Sequence, residues 1–386
     1  MTRILTIGDL HIRTTNLIDI DIFMEKLREH VLCGEEHEFD YIILLGDILH
    51  DHERLHISPL NKALSVIGEL RSYTRQLFIL VGNHDMINHM QFLSDAHWMN
   101  SLKQWDKVTI VDSNIYVPDG NFTLVPYVPN GRLIEALDNE SCDATSHGLW
   151  QNSDCIFLHQ EILGAKMGCF DSEHGDEWDL TFPQIVSGHI HERQTPQPNV
   201  YYPGSALQHA FGESKRNIVA IVSWDDNGIP SHETDQNISD NCNLDNNFAI
   251  EEIDLQLPRK TTITCDIDNV EKYKNKILGL DDRLVTKPCE GDLETDCIGS
   301  IRPGDHIRLV IKGTQEEFKT FKKTKLYKTF KKQSVKMVFK HLILDTPENL
   351  ENDISLSMAD QFSKVLIDLC AKENNQVLVD LCKELL

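Results

Sequence analysis

A chain of 386 residues, 40% of them hydrophobic and 25% charged, has the length for one large globular domain with one or two smaller units. It holds no apolar run of roughly 18 residues and MTRILTIGDLH leads straight into a strand-like segment, which argues against a membrane span or signal peptide and for an intracellular protein, cytoplasmic or nuclear. Ten cysteines without a CxxC pair speak against a zinc ribbon or disulfide framework, and a formal net charge of −24 speaks against nucleic-acid binding by the chain as a whole.

In chain order, residues 3–8 predict a short apolar strand that ends in Asp9-Leu10-His11. Residues 18–33 carry Ile22, Phe23, Leu27, His30 and Val31 at helical spacing. A buried strand over 41–45 ends in Gly46-Asp47, and 59–75 reads as a second amphipathic helix with Pro59 near its start. A third strand, 77–81, runs into Gly82-Asn83-His84-Asp85. Short strands follow at 108–111, 115–117, 122–125, 155–158, 184–186, 199–202 and 218–224. This alternation predicts an α/β fold for residues 1–225, with polar clusters at strand ends, where open α/β sheets place their sites. Residues 226–249 shift to Asp, Asn, Ser and Gly and read as a linker. Strands near 261–267, 307–311 and 335–344, with helices near 269–280 and 314–323, predict a small α+β unit over 250–345. Residues 346–386 read as a helical tail, with an apolar stripe through Met358, Phe362, Val365, Leu366 and Leu369.

Five polar motifs sit directly after predicted strands: Asp9-x-His11, Gly46-Asp47-x-x-His50, Gly82-Asn83-His84-Asp85, His159, and Gly188-His189-x-His191. A single Gly-Asp or His-x-His is more often a turn or a surface pair; all five together are a poor way to build solubility. Carboxylate, imidazole and amide oxygen suit manganese, iron or zinc better than calcium. Asp47, with two carboxylate oxygens, can bridge two ions, and ions about 3.5–4 Å apart clamp the attacking and leaving oxygens of a phosphoryl group. Period-two alternation puts Asp9 and His11 on one side, as it does His189 and His191.

The ordered set resembles the pattern DxH…GDxx(D/H)…GNH(D/E)…H…GHxH of the calcineurin-like metallophosphoesterase superfamily. The resemblance implies a two-sheet sandwich flanked by helices. It also implies two divalent ions, with manganese expected: one held by Asp9, His11, Asp47 and His191, the other by Asp47, Asn83, His159 and His189. His84 is then the non-ligand histidine at the phosphate, acting as general acid or transition-state stabiliser. Protein phosphatases read GDxxDRG at the second motif, whereas Gly46–His52 here lacks the Arg-Gly and places His50 in the discriminating slot. That slot resembles SbcD-type double-strand-break repair nucleases and phage recombination endonuclease subunits, which also admits a viral source. His50 then orients His84 or touches substrate; as a bland alternative it is a solvated loop residue. Tyr202-Pro203-Gly204-Ser205 and the stretch 307–318 are similar to that nuclease family's segment after the last ligands and to the start of its small cap domain.

From Lys319 to Lys340 there are nine lysines and no acid, so the negative total hides a basic patch. As a solvated face it is unremarkable; as a phosphate-contacting surface it supplies salt-dependent affinity for DNA. Phe321, Tyr327, Phe330 and Phe339 within it are core residues or stacking partners for bases. The expected function is metal-dependent hydrolysis of DNA phosphodiesters by the nuclease subunit of a recombination or repair complex. The rival reading is a phosphatase or phosphodiesterase for small molecules or phosphoproteins. Expected partners are DNA, an ABC-type ATPase docking on the C-terminal helices, and a second copy of the chain, with no membrane.

Overall fold

The computed structural model describes residues 1–33, 39–139, 149–168, 170–214, 216–224, 248–274, 305–332 and 335–341. Two six-stranded sheets stack face to face. The first runs in the order Phe248–Ile253, Val219–Trp224, Thr2–Ile7, Phe39–Leu44, Thr74–Leu80, Val108–Val111. The last four are mutually parallel and the first two join antiparallel. The second sheet runs Gln194–Gln197, Val200–Tyr202, Gln184–Gly188, Cys155–His159, Phe122–Leu124, Ile115–Val117.

Alternation along each strand divides the side chains between two layers. Ile4, Ile43, Phe78 and Leu80 point into the gap between the sheets, where they meet Phe122, Phe157, Val186 and Trp224. Leu5, Ile42, Leu77 and Ile79 point outward and are covered by Ile20, Phe23 and Leu27 of helix Leu17–His30 and by Ala63, Val66 and Ile67 of helix Ile57–Leu70. Residues such as Phe157, fully buried, each contribute roughly 1.5–3 kcal/mol by leaving water. The predicted two-sheet α/β sandwich is therefore the observed fold.

Element bounds differ in instructive places. The helix expected over 59–75 spans Ile57–Leu70 and gives way to a 3₁₀ turn at Arg71–Tyr73, because Thr74 already pairs with Phe39. The strands expected to stop at 158 and 186 run on to His159 and Gly188, which pair with each other in parallel register. The strand Phe248–Ile253 straddles the border drawn between linker and small unit, yet it is the edge of the first sheet, with Ile250 paired to Val222.

Residues 260–341 build a third, all-parallel sheet from Lys260–Asp266, His306–Gly313 and Lys336–His341. The helix expected over 314–323 is Gln315–Phe321, opened by Thr314, which caps Glu317 N–H while Glu317 caps Thr314 N–H. A further helix, Lys325–Lys332, lies in the middle of the lysine run, between the helix expected near 314–323 and the strand expected near 335–344. The helix expected near 269–280 is a 3₁₀ segment at Ile267–Tyr273 within the described residues. Phe318, Phe321 and Phe330 close this unit's own core with Leu309 and Ile311, so Phe321 and Phe330 are core residues rather than base-stacking partners. The tail expected over 346–386 lies outside the described residues. Among the described residues no helix is long and apolar enough to cross a membrane.

Candidate active site

All five motifs emerge from strand ends on the same side of the sandwich. The first sheet delivers Asp9 and His11 after Thr2–Ile7, Asp47 after Phe39–Leu44, and Asn83 and His84 after Thr74–Leu80; the second delivers His159, His189 and His191. Delivery is strained. Asp9, His11, Asp47 and His189 have φ of 33°, 42°, 50° and 77°, a left-handed region that side chains other than glycine enter at a cost of about 1–3 kcal/mol each. Gly46 has φ 103°, and a Cβ there would lie 2.4 Å from His159 Nδ1. At Gly82 a Cβ would meet Asp47 Oδ1 at 2.2 Å. The glycines beside the ligands are thus space for neighbouring side chains, which is why the motifs carry them.

The side chains form two clusters joined by Asp47. In one, His11 Nε2 lies 3.0 Å from His191 Nε2 and 3.4 Å from Asp47 Oδ2, with Asp9 alongside. In the other, His159 Nε2 lies 3.4 Å from Asp47 Oδ1 and 3.1 Å from Asn83 Oδ1, which is 2.9 Å from His189 Nδ1. Within Asp9–His11–His191 and within Asp47–His159–His189 the ligand atoms all lie within 4.8 Å of one another. Asp47 turns one oxygen to each cluster, the geometry of a bridging carboxylate. The structure therefore brings together all seven residues expected as ligands.

The donor and acceptor balance fits cations. His159 Nδ1–H donates to Leu45 O at 2.6 Å, which turns Nε2 toward the Asn83 and Asp47 oxygens, where a proton or a cation must sit between them. Asp9 Oδ1 accepts the His189 N–H, but Asp9 Oδ2 is buried with no hydrogen-bond partner among the described residues. A buried unpaired carboxylate oxygen is costly unless a cation meets it. The cluster can hold divalent metal ions. Its titration reflects the crowding. Burial raises the Asp9 carboxyl despite His159 and His191. Burial would also raise Asp47, but His159, His11 and His84 outweigh it and hold it well below the usual range. Burial would lower His159, yet the Asp47 and Asp9 carboxylates push it up to about 9, while burial and the His159 charge take His189 down to about 3.

His84 stands beside the clusters. Its backbone N–H donates to Asp47 Oδ1 at 2.8 Å, and its Nδ1–H donates to the carbonyl of His50 at 2.6 Å. The partner that orients His84 is therefore the His50 backbone. The His50 ring lies nearly parallel to His84 at 5.4 Å and turns Nδ1 toward His11 Nδ1 at 3.2 Å. His50 is half-buried and belongs to the cluster, so it is not a solvated loop residue. Asp85, fourth residue of its motif, is an anchor: it accepts from the N–H groups of Ile48, Leu49 and Gly82 and from Trp98 Nε1.

Four residues at the site carried no signal in the sequence reading. His52 stacks on His84 at 4.6 Å. His209 Nε2–H donates to Asp9 O at 2.8 Å, and Glu213 accepts from the His209 and Ala210 N–H groups and from His191 Nδ1 at 3.2 Å. Arg13 reaches His50 and the His209 carbonyl. The segment after Tyr202-Pro203-Gly204-Ser205 was the available clue, since it holds both His209 and Glu213.

Comparison with known proteins agrees with this geometry. Residues 2–193 match the family model described as calcineurin-like phosphoesterase. The chain is 38% identical over 329 residues to a protein provisionally named phosphoesterase 244L from Invertebrate iridescent virus 6, covering 84% of this chain and 98% of that protein. It is 33% identical over 389 residues to a protein provisionally named phosphoesterase 078R from Invertebrate iridescent virus 3, covering 99% of this chain and 96% of that one. The chain belongs to the calcineurin-like phosphoesterase family.

Proposed function

We propose that this phosphoesterase is a metal-dependent DNA nuclease, serving as the nuclease subunit of a recombination or repair complex. The observation that carries the reading is the placement of the lysine run. All nine lysines between Lys319 and Lys340 are exposed, on a unit rooted beside the histidine cluster. Lys260 N–H donates to Gln208 Oε1 at 2.7 Å, His306 Nε2 meets Asp19 at 2.9 Å, and the Arg308 guanidinium lies 4.2 Å over Phe211. Gln208 and Phe211 belong to the segment that carries His209 and Glu213. A row of cations beside a phosphoesterase site supports a long polyanionic substrate, held through its phosphates independently of sequence.

In this reading Asp9, His11, Asp47 and His191 would hold one divalent ion and Asp47, Asn83, His159 and His189 the other, with manganese the expected metal. Bound there, such ions would supply a water of lowered pKa and would neutralise charge on the phosphoryl group. Because His84 commits its Nδ1–H to the His50 carbonyl, Nε2 is the atom left to bond a substrate oxygen. Protonated there, His84 hands that proton to the departing oxygen. His50 backs both His11 and His84. Docking of an ABC-type ATPase on residues 346–386 belongs to the same proposal. The test is degradation of linear duplex DNA with manganese, by the wild-type chain and by His84→Gln and Asp47→Asn. Activity is expected only from wild type, and DNA hydrolysis surviving both substitutions refutes the assignment.

A further inference from the structure

We propose that Arg13 binds a second phosphate of the substrate strand, the one next to the bond being cut. The inference rests on the nuclease reading and names how that substrate is recognised. Arg28, Arg75, Arg132 and Arg259 each pair with a carboxylate. Arg13 pairs with none among the described residues. Nη2 donates to His209 O at 2.9 Å and Nη1 lies 3.3 Å from His50 Nε2, while Nε is buried without a partner. A guanidinium has five N–H donors and no acceptor, so most of its bonding capacity is unspent. It is also a half-buried charge without a counter-ion, which is costly unless an anion arrives. The neighbouring cation, Lys260, is already compensated by Asp19 at 3.6 Å.

Its position excludes the reacting phosphoryl group as that anion. The full ring of His50 lies between the Arg13 guanidinium and His11, since His50 meets Arg13 through Nε2 and His11 through Nδ1. An anion touching Arg13 is thus displaced outward from the paired clusters, as the neighbouring phosphate of a strand is. The guanidinium is fixed relative to the site, because the same His209 whose carbonyl it holds is bonded through its ring to Asp9 O. Rigid placement of this kind favours bidentate phosphate recognition by arginine over lysine.

The experiment uses the full chain with manganese and three substrates: a dinucleotide with its single internal phosphodiester, and the same dinucleotide with an added 5′ or 3′ terminal phosphate. In wild type one of the two terminal phosphates is expected to lower KM about tenfold, the worth of one charge-assisted contact. Arg13→Gln is expected to abolish that gain, and Arg13→Lys to keep part of it, with both variants melting near wild type. The inference is overturned if Arg13→Gln loses the same factor on all three substrates, because Arg13 then acts only through His50 and His209. It is overturned too if neither terminal phosphate helps wild type, or if Arg13→Gln is indistinguishable from it. Wild type that hydrolyses an aryl phosphodiester but none of the dinucleotides overturns the nuclease reading, and this inference with it.

Discussion

Replacing Gly46 with alanine tests how tightly the fold and the site are tied. Two costs arise. The backbone sits at φ 103°, outside the ordinary range of side-chain-bearing residues, which costs about 1–3 kcal/mol. The new Cβ would also lie 2.4 Å from His159 Nδ1 and 3.0 Å from its Cγ, so the ring must move. That breaks the bond from His159 to Leu45 O inside a fully buried environment, a further cost of about 1–3 kcal/mol. Gly164 is the control: its φ is 81°, but a Cβ there meets nothing within 4 Å, so Gly164→Ala carries backbone strain alone. Urea unfolding of the metal-free proteins should place Gly46→Ala below Gly164→Ala by about 1–3 kcal/mol. Manganese titration should show the Gly46 variant binding at least tenfold more weakly, with the Gly164 variant near wild type. Equal destabilisation by the two substitutions would falsify the account of why glycine precedes Asp47.

Three further outcomes follow from named contacts. Replacing Lys322, Lys323, Lys331 and Lys332 with glutamate should weaken DNA binding and flatten its dependence on salt, as read by fluorescence anisotropy across a salt series; unchanged affinity would remove the lysine surface from the substrate path. Glu213→Gln retains the shape but weakens the support of His191 Nδ1, so metal affinity should fall on the order of tenfold while the melting temperature changes little, and equal metal affinity would show that Glu213 does not act through His191. Asp112 gives a pH signature through its own two partners. Burial would raise its carboxyl, but bonds from His97 at 3.1 Å and Lys103 at 2.5 Å outweigh it and hold it below the usual range. A depressed native pKa contributes stability that is full above the unfolded value, about 3.9, and is lost as pH falls through the native one. Asp112→Asn should therefore cost about 1 kcal/mol at neutral pH, with the melting curves of variant and wild type converging as the solution is acidified below about pH 4. A gap that stays constant through acid would exclude this linkage.

The convergence of these seven residues was readable in the sequence because metal chemistry restricts the candidates to few residue types, and because each lies immediately after an apolar run. His147 and His174 lie nearby in sequence, but only His159 directly follows an apolar run. What could not be read are partners that act through the backbone or arrive from irregular segments. The orienting group of His84 is the carbonyl of His50, which every residue type possesses. Glu213 reaches His191 from a segment with no periodicity, and Arg13 resembles any surface arginine until its missing counter-ion is seen. The strand Phe248–Ile253 was obscured for a different reason: its partner Val219–Trp224 is its antiparallel neighbour across a long polar insertion, so local composition hid a pairing that the sheet required.

The two sheets supply different halves of the histidine-carboxylate assembly: Asp9, His11, Asp47 and Asn83 come from one, and His159, His189 and His191 from the other. Any ion that settles there is consequently a rivet through the sandwich. Its binding energy adds to the grip of Phe122, Phe157 and Trp224 between the sheets, and by mass action it raises the melting temperature with ion concentration. The converse holds as well. A cavity cut into that interior, remote from every ligand, loosens the rivet's two plates and should register as weaker metal uptake before it registers as a lost fold.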